Sequence, residues 1–285
     1  MIKLGGKEIE WTRYPNGEVG LHDLDLDSSQ QMMTRAPIVK WSWENDGELI
    51  KLLFLKRLMD DHFFDPGTLI ITYMPYSRMD RTPNGEAFTL KYVAEFINSM
   101  NWHHVRVVEP HSDVTMALLD RSSAYYPIKD LFPDQIQKEI DLNIETDYLV
   151  FPDAGAEKRY GKMFPGYQTI TMSKTRDFAT GQITGLHVND ADSIKLAQTG
   201  SKALIIDDLC SKGGTFRGAT DALFDVVGMA KVYLYITHCE AAIFDGTLLD
   251  HDGPNHIFTT DAFPTARMPT GWPINKSDKI TVYPI

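Results

Sequence analysis

Cysteine is scarce in this chain, which has only Cys210 and Cys239 among its 285 residues. So few cysteines do not provide the disulfide framework on which small secreted domains depend, which indicates a reducing compartment. No apolar run is long enough to cross a bilayer, and the first residues lack the apolar core of a signal peptide. We therefore expect a cytoplasmic protein that has no membrane partner.

Positively charged residues are fewer than acidic residues in this chain. Lysine and arginine together number 28 against 39 acidic residues, which gives a formal net charge of −11. A surface with this balance repels a phosphate backbone, so we expect no nucleic-acid partner. A small anionic substrate is not excluded, because a few cations can dominate inside a cleft. The hydrophobic content of 43% is ordinary for a globular protein of this length.

Short apolar segments alternate with amphipathic ones along the chain. Strands are predicted at 38–43, 68–73, 105–109, 147–151, 168–172, 203–207 and 232–238, and helices at 47–60, 87–100 and 217–227. This alternation predicts an α/β protein whose parallel sheets are covered by helices on both faces. Because the pattern restarts near residue 147, we predict two α/β halves, residues 1–142 and 143–285.

The most informative segment spans residues 204–215, where an apolar run ends in the adjacent acids Asp207 and Asp208. A small loop follows, made of Ser211, Lys212, Gly213, Gly214 and Thr215. Carboxylates and a glycine loop after a buried parallel strand are a common way to hold a phosphorylated sugar. The loop N–H groups would contact phosphate, and the acids would accept from ribose hydroxyls directly or through magnesium. The alternative is a polar strand end followed by an ordinary turn.

Further segments have the same character. They are Arg-Tyr-Pro-Asn-Gly-Glu at 13–18, Tyr-Met-Pro-Tyr-Ser-Arg-Met-Asp-Arg at 73–81, Glu-Pro-His-Ser-Asp at 109–113 and Val-Phe-Pro-Asp-Ala-Gly-Ala-Glu-Lys-Arg at 150–159. With the 204–215 loop, and in this order, they resemble the ribose-phosphate pyrophosphokinases, or PRPP synthetases, over nearly the whole chain. The resemblance implies two tandem type I phosphoribosyltransferase-like domains, each a mainly parallel sheet flanked by helices. It also implies a homo-oligomer, such as a dimer or hexamer.

The reaction that the resemblance implies is a diphosphoryl transfer. The anomeric C1 hydroxyl of ribose 5-phosphate attacks the β-phosphorus of ATP and AMP leaves, with Mg2+ as cofactor. Such chemistry relies on positioning and on neutralisation of charge, without a covalent intermediate.

The same resemblance assigns roles to individual residues. ATP-binding residues would be Tyr14, Asn16, Glu18, Arg78, Asp80 and Arg81, the first three on a loop that reaches a neighbouring subunit's adenine. Metal-binding residues would be His111 and Asp153, with His111 also in a catalytic role. Catalytic cations would be Lys174 and Arg176, in a polar segment that corresponds to a mobile catalytic loop. Ribose-phosphate-binding residues would be Asp207, Asp208 and residues 211–215. The alternatives are surface turns, a surface Arg–Asp pair and a solvated basic segment.

The chain departs from the family pattern in several places. Asn16 stands where aspartate is usual, and Met79 where glutamine is usual. In the sugar loop, Ser211 and Lys212 replace an aspartate and a threonine, so the loop loses an acid and gains an ammonium group. ADP-ribose has a free anomeric hydroxyl and a 5-phosphate that continues into a diphosphate, which would suit a more cationic loop. The acceptor is therefore open between ribose 5-phosphate and ADP-ribose.

Two other classes of protein share parts of this pattern. One is an inactive regulatory protein associated with PRPP synthetase, which the presence of His111, Asp153, Lys174 and Asp208 disfavours. The other is a true phosphoribosyltransferase, which has the sugar loop but no need for the segments at 13–18 and 73–81.

Overall fold

A computed structural model of the protein describes residues 1–21, 37–62, 65–82, 85–176, 183–189, 200–263 and 278–285, with backbone only for 174–176 and 183–186. These residues group into two compact units. One comprises Met1–Tyr126 with Ala262–Pro264, and the other Pro127–Asp261 with Thr265–Ile285. The division after Tyr126 lies upstream of the predicted boundary at 142, because the helical segment from Ile128 onward packs with the second unit.

The first unit is organised around a sheet with the strand order β2-β1-β5-β6-β7-β8. The strands of this unit are β1 (Ile2–Leu4), β2 (Lys7–Glu8), β3 (Trp11–Arg13), β4 (Val19–Leu21), β5 (Ile38–Trp41), β6 (Thr68–Ile71), β7 (His104–Val108) and β8 (Ser122–Tyr125). Its helices are α1 (Gly47–His62), α2 (Thr89–Ser99) and α3 (Asp113–Leu118). Strands β5 to β8 run parallel, whereas β3 and β4 form a separate antiparallel hairpin.

Helix α2 shows why the amphipathic segments cover the sheet. Its buried residues are Leu90, Val93, Ala94 and Ile97. They recur at the spacing of one helix face, so the helix turns a continuous apolar stripe toward the strands. The predicted helix is thereby confirmed, although it begins at Thr89 rather than at residue 87.

The second unit begins with the short helices α4 (Ile128–Leu131) and α5 (Gln137–Ile140), joined by the π-helical turn Phe132–Ile136. Among its described residues, the strands form one sheet with the order β11-β10-β9-β12-β13-β14-β15. These strands are β9 (Tyr148–Phe151), β10 (Gln168–Arg176), β11 (Ile183–Val188), β12 (Lys202–Cys210), β13 (Lys231–Cys239), β14 (His256–Thr260) and β15 (Ile280–Tyr283). Helix α6 (Ala154–Tyr160) follows β9, and α7 (Gly214–Ala222) follows β12. All neighbouring strands are parallel except β10 and β11.

Strand β12 lies at the centre of this sheet. The consecutive residues Leu204, Ile205 and Ile206 are each 0% exposed. Because successive side chains of a strand point to opposite faces, both faces of the sheet are covered at this point. The predicted α/β architecture of parallel sheets flanked by helices is confirmed. No helix in the described part of the chain combines the length and the hydropathy needed to span a bilayer.

Two predicted boundaries near the sugar loop differ from the structure. Strand β12 continues to Cys210, past the predicted end at Asp207, so Asp208 also lies within the strand. Helix α7 begins at Gly214, earlier than predicted, and passes into a π-helical turn at Leu223–Val227. The strand is longer because β13 pairs with it as far as Cys239, which holds the backbone extended past the acids.

Candidate active site

In the first unit, the predicted ATP segment and the histidine motif follow the adjacent parallel strands β6 and β7. Asp80 accepts a hydrogen bond from Arg81 Nε at 3.1 Å. Burial alone would raise the pKa of Asp80, but the Ser112 hydroxyl, Arg81 and the charge of His111 outweigh it, and the pKa is lowered. The fold therefore brings Asp80 and His111 together at the carboxyl ends of these strands. The carboxylate pairs with Arg81, and Arg78 is exposed.

An aromatic group that the sequence did not single out lies at the same end of this sheet. The Trp43 ring lies 6.2 Å from that of Tyr73 and 6.3 Å from that of Tyr76. Tyr76 donates a hydrogen bond to Asp46, and this bond, with burial, raises the pKa of Tyr76 to about 12. Its backbone φ of 61° lies in the left-handed region. In the sequence, this group could have been recognised from the aromatic residues that follow β5 and β6.

Tyr14, Asn16 and Glu18 form the tip of the β3–β4 hairpin. The Asn16 amide donates to Glu18 Oε2 at 2.8 Å, and Asn16 Oδ1 accepts from the Glu18 backbone N–H at 3.2 Å. The Tyr14 side chain is exposed. The turn is thus stabilised by its own polar groups and displays an aromatic ring at its edge, and the predicted contact with adenine stays a prediction.

In the second unit, Asp153 follows β9 and caps helix α6. Its Oδ1 atom accepts from the backbone N–H groups of Gly155 and Ala156, each at 3.0 Å. The local sequence folds this way because aspartate before a helix satisfies N–H groups that have no partner within the helix. Asp153 therefore has a structural role, and metal binding is a prediction in addition to it.

The acids of β12 are held by a cation from α6. Arg159 Nη1 lies 2.9 Å from Asp208 Oδ1 and 3.9 Å from Asp207 Oδ1. The pKa of Asp207 is raised well above its ordinary value by burial first, and then by the negative charges of Asp208 and Asp153. Arg159 is the last residue of the 150–159 segment, and no role was predicted for it from the sequence. A cation partner could have been expected from the acid pair itself, because adjacent carboxylates on a buried strand require a nearby cation.

The sugar loop is shaped by a second loop of the same unit. Gly213 is the N-cap of α7, with a φ of +81° that an L side chain rarely adopts. A Cβ atom on Gly213 would lie 2.7 Å from Leu248 Cβ, and one on Gly246 would lie 2.9 Å from the Lys212 carbonyl carbon and closer still to its oxygen. Arg217, in the first turn of α7, donates to Thr247 Oγ1 at 3.1 Å. The segment that follows β13 therefore supports the loop that would hold phosphate.

Helix α7 gives this loop its anion-binding geometry. Its N-cap is a glycine, so among the described residues no side chain caps the first N–H groups of the helix. Such N–H groups, at the positive end of the helix dipole, suit a phosphate. Gly214 is exposed, and a Cβ atom there would meet open space. The predicted ribose-phosphate residues Ser211 to Thr215 thus run from the end of β12 into the first turn of α7.

The cysteines are not part of a nucleophilic site. Cys210 and Cys239 are opposite one another in the β12–β13 register, with exposures of 1% and 3%. A hydrogen bond with Cys239 and burial raise the pKa of the Cys210 thiol well above its ordinary value. Because the thiolate is the reactive form, this environment disfavours nucleophilic chemistry at Cys210.

The predicted catalytic cations fall in a part of the chain that is described only for the backbone. Lys174 pairs with Leu186 and Arg176 with Ile183 in the β10–β11 hairpin. The sequence had suggested a polar loop around these two residues, but the backbone is strand up to Arg176 and again from Ile183. The side chains of Lys174 and Arg176, and residues 177–182, lie outside the described residues, so their catalytic role stays a prediction.

The chain is similar in sequence to ribose-phosphate pyrophosphokinases from several organisms. It is 25% identical to that of Sulfurisphaera tokodaii over 262 residues, which cover 90% of this chain and 85% of the relative. It is 28% identical to that of Sulfolobus acidocaldarius over 222 residues, which cover 77% and 73%. It is 30% identical to that of Saccharolobus solfataricus over 182 residues, which cover 62% and 59%. No family model matches the sequence.

Among solved structures, the fold is similar to the crystal structure of phosphoribosylpyrophosphate synthetase from Mycobacterium smegmatis. The TM-score is 0.72 at 20% identity, and the match covers 98% of this chain and 86% of that one. The architecture is therefore that of two phosphoribosyltransferase-like α/β domains in tandem. The sequence relatives and this fold are those expected from the resemblance to the ribose-phosphate pyrophosphokinases.

Proposed function

We propose that the protein transfers the β,γ-diphosphate of ATP to the anomeric C1 hydroxyl of a 5-phosphoribosyl acceptor. The proposal is based on the β12–α7 junction. There, the acid pair of β12 is followed by a glycine loop that leads into the N-terminus of α7. The acids suit the ribose hydroxyls and the loop suits the 5-phosphate. The names of the sequence relatives support the same activity, since each is a ribose-phosphate pyrophosphokinase.

The reaction balances without a covalent intermediate. The C1 oxygen of the acceptor forms a bond to the β-phosphorus of ATP, and the bond from that phosphorus to the oxygen bridging the α-phosphate breaks. AMP leaves with that oxygen, and the proton of the acceptor hydroxyl is released to solvent. Negative charge moves to the leaving phosphate, so cations and N–H groups in fixed positions are the main catalytic requirement. Arg78, Lys174 and Arg176 are the predicted cations.

Magnesium is the cofactor that the resemblance implies, and the donor set of the second unit fits it. Asp153 is an oxygen donor at the carboxyl end of β9, and its charge acts on Asp207, so negative charge is concentrated where a cation would be stabilised. Among the described residues, no three His, Cys, Asp or Glu side chains converge on one point. When bound, magnesium would neutralise charge on the transferred diphosphate. Asp153 is the predicted metal ligand of the second unit, and His111 is that of the first unit.

Ribose 5-phosphate is the first candidate acceptor, and ADP-ribose is the second. The observation that favours ADP-ribose is the exposed Lys212, in a loop whose backbone packs against Gly246. An ammonium group at this position would contact the second phosphate of a diphosphate-linked acceptor. Ribose 5-phosphate offers no such group.

The test is AMP formation from ATP and magnesium, with ribose 5-phosphate and ADP-ribose offered in parallel. AMP released with ribose 5-phosphate supports the first candidate, and AMP released only with ADP-ribose supports the second. A third reaction, with PRPP and a free base but no ATP, reports base-dependent pyrophosphate release, which would instead indicate a phosphoribosyltransferase. No turnover in any of the reactions would contradict the proposal and favour a regulatory protein.

Substitution of Lys212 by threonine is expected to separate the two acceptors. The change removes the ammonium group, and a charge-assisted contact to a phosphate contributes enough that kcat/KM for ADP-ribose should fall about tenfold or more. The value for ribose 5-phosphate should change much less. Lys231→Thr, an exposed lysine at the start of β13, is the matched control. Equal losses with both acceptors would remove Lys212 from acceptor choice.

A further inference from the structure

We infer that Arg159 is a positioning residue for the acceptor, and that it acts through Asp208 on the acid pair of β12. The inference rests on the proposed function, because it assigns Arg159 to the same ribose site. It concerns a residue of helix α6, which lies outside the acid-pair strand and the sugar loop. It also assigns different roles to Asp207 and Asp208, for which the sequence predicted the same role.

The geometry of the three charged groups is asymmetric. Arg159 Nη1 is in contact distance of Asp208 Oδ1, at 2.9 Å, but is 3.9 Å from Asp207 Oδ1. The Asp208 carboxylate is also the less exposed, at 6% against 14% for Asp207. Asp207 Oδ1 in turn accepts from the backbone N–H of Asp208 at 2.9 Å. The guanidinium therefore holds the more buried acid, and the more exposed acid is oriented by the backbone.

Arg159 is itself held in place. Its guanidinium lies over the Tyr160 ring at 5.4 Å, and its side chain is 13% exposed. Helix α6 packs against β9 and β12, and Asp153 caps its first turn. A planar guanidinium in such surroundings loses little conformational freedom when it contacts a carboxylate. Its position is therefore set before any acceptor binds.

Electrostatics explains why this contact matters for an acceptor. Adjacent carboxylates repel one another, and burial penalises both charges, so one acid must be paired if both are to stay in place. Further acids lie near, since the charge of Asp153 acts on Asp207. The positive charge of Arg159, 2.9 Å from Asp208, offsets part of the repulsion between the two acids. That leaves a carboxylate to accept from ribose hydroxyls.

A purely structural role accounts less well for the ion pair. Buried ion pairs contribute little net stability compared with apolar residues of similar size. Strand β12 is already anchored by fully buried apolar residues on both faces. The contribution of the pair is then to fix where the carboxylates point, which decides how well two hydroxyls of a sugar are bound.

The test uses the whole protein and the variants Arg159→Gln and Arg159→Lys, with Lys162→Gln as an exposed control just after α6. Steady-state kinetics with the acceptor that the wild type uses should show the acceptor KM of Arg159→Gln raised about tenfold or more, with the ATP KM nearly unchanged. Arg159→Lys should recover part of the loss, because it restores the charge but not the planar fork. Equal rises in both KM values, or no rise, would overturn the inference.

A double-mutant cycle keeps the inference testable if Arg159→Gln is poorly stable. If Arg159 acts through Asp208, its replacement should have a much smaller effect on the acceptor KM when Asp208 is already asparagine. Additive effects would overturn the inference. The wild-type reaction distinguishes a failure of this inference from a failure of the proposed function. If the wild type turns over and the Arg159 variants have the same acceptor KM, only the role of Arg159 is rejected. If the wild type does not turn over, the proposed function is rejected, and the role of Arg159 with it.

Discussion

Replacement of Asp208 by alanine is expected to reduce turnover with the acceptor about 100-fold or more, while ATP binding is retained. Asp208 is 4% exposed and pairs with Arg159 at 2.9 Å. The substitution removes a carboxylate from the ribose site and abolishes its 2.9 Å ion pair with Arg159. The acceptor should then bind loosely and in poor register with ATP. Turnover is measured as AMP release, and ATP binding by calorimetry without acceptor.

Two variants control for loss of stability in this experiment. Asp208→Asn keeps the size of the side chain and should lose most of the same turnover, because the amide does not neutralise Arg159. Asp134→Ala removes a carboxylate of the same unit that is 78% exposed, and should leave turnover unchanged. A loss of ATP affinity in Asp208→Ala that matches its loss of turnover would show that the acceptor site is wrongly placed.

Substitution of Gly246 by alanine is expected to impair acceptor use from outside the sugar loop. A Cβ atom at this position would lie 2.9 Å from the Lys212 carbonyl carbon and 3.2 Å from its Cα atom. These are backbone atoms, so the Ser211–Thr215 loop has to move to accommodate the methyl group. A displacement of this kind near a reacting group can lower kcat/KM about 100-fold. The effect should appear in the kinetics of the acceptor and not in ATP affinity.

The matched control for Gly246→Ala is a substitution at another glycine, where an added Cβ atom would have few close neighbours. A Cβ atom on Gly47, at the start of α1, would meet only the side-chain oxygen of Asn45, at 3.1 Å. Gly47→Ala should therefore leave turnover unchanged. If Gly246→Ala has wild-type acceptor kinetics with an unaltered melting temperature, the segment after β13 does not shape the sugar loop.

Much of the fold could be predicted because its signals are local. The apolar run around Ile205 and the stripe from Leu90 to Ile97 specify a buried strand and an amphipathic helix from their own periodicity. The ends of these elements were less predictable. Strand β12 continues past the acids because β13 pairs with it, and residues remote from 204–215 supply that pairing. The unit boundary after Tyr126 likewise depends on what the segment from Ile128 packs against.

The candidate site divides in the same way. Some features of the site are visible in the sequence: the order of the motifs, the adjacent acids and the glycine loop. They were sufficient to predict the family and the class of reaction. The contact between Arg159 and Asp208, the proximity of Asp80 to His111, and the close approach of Gly246 to Lys212 depend on the tertiary structure. Each joins groups on different elements, and its distance is set by how helices and loops pack on a sheet. Short-range patterns of residue type contain no information about such distances, because packing is a property of the folded chain as a whole.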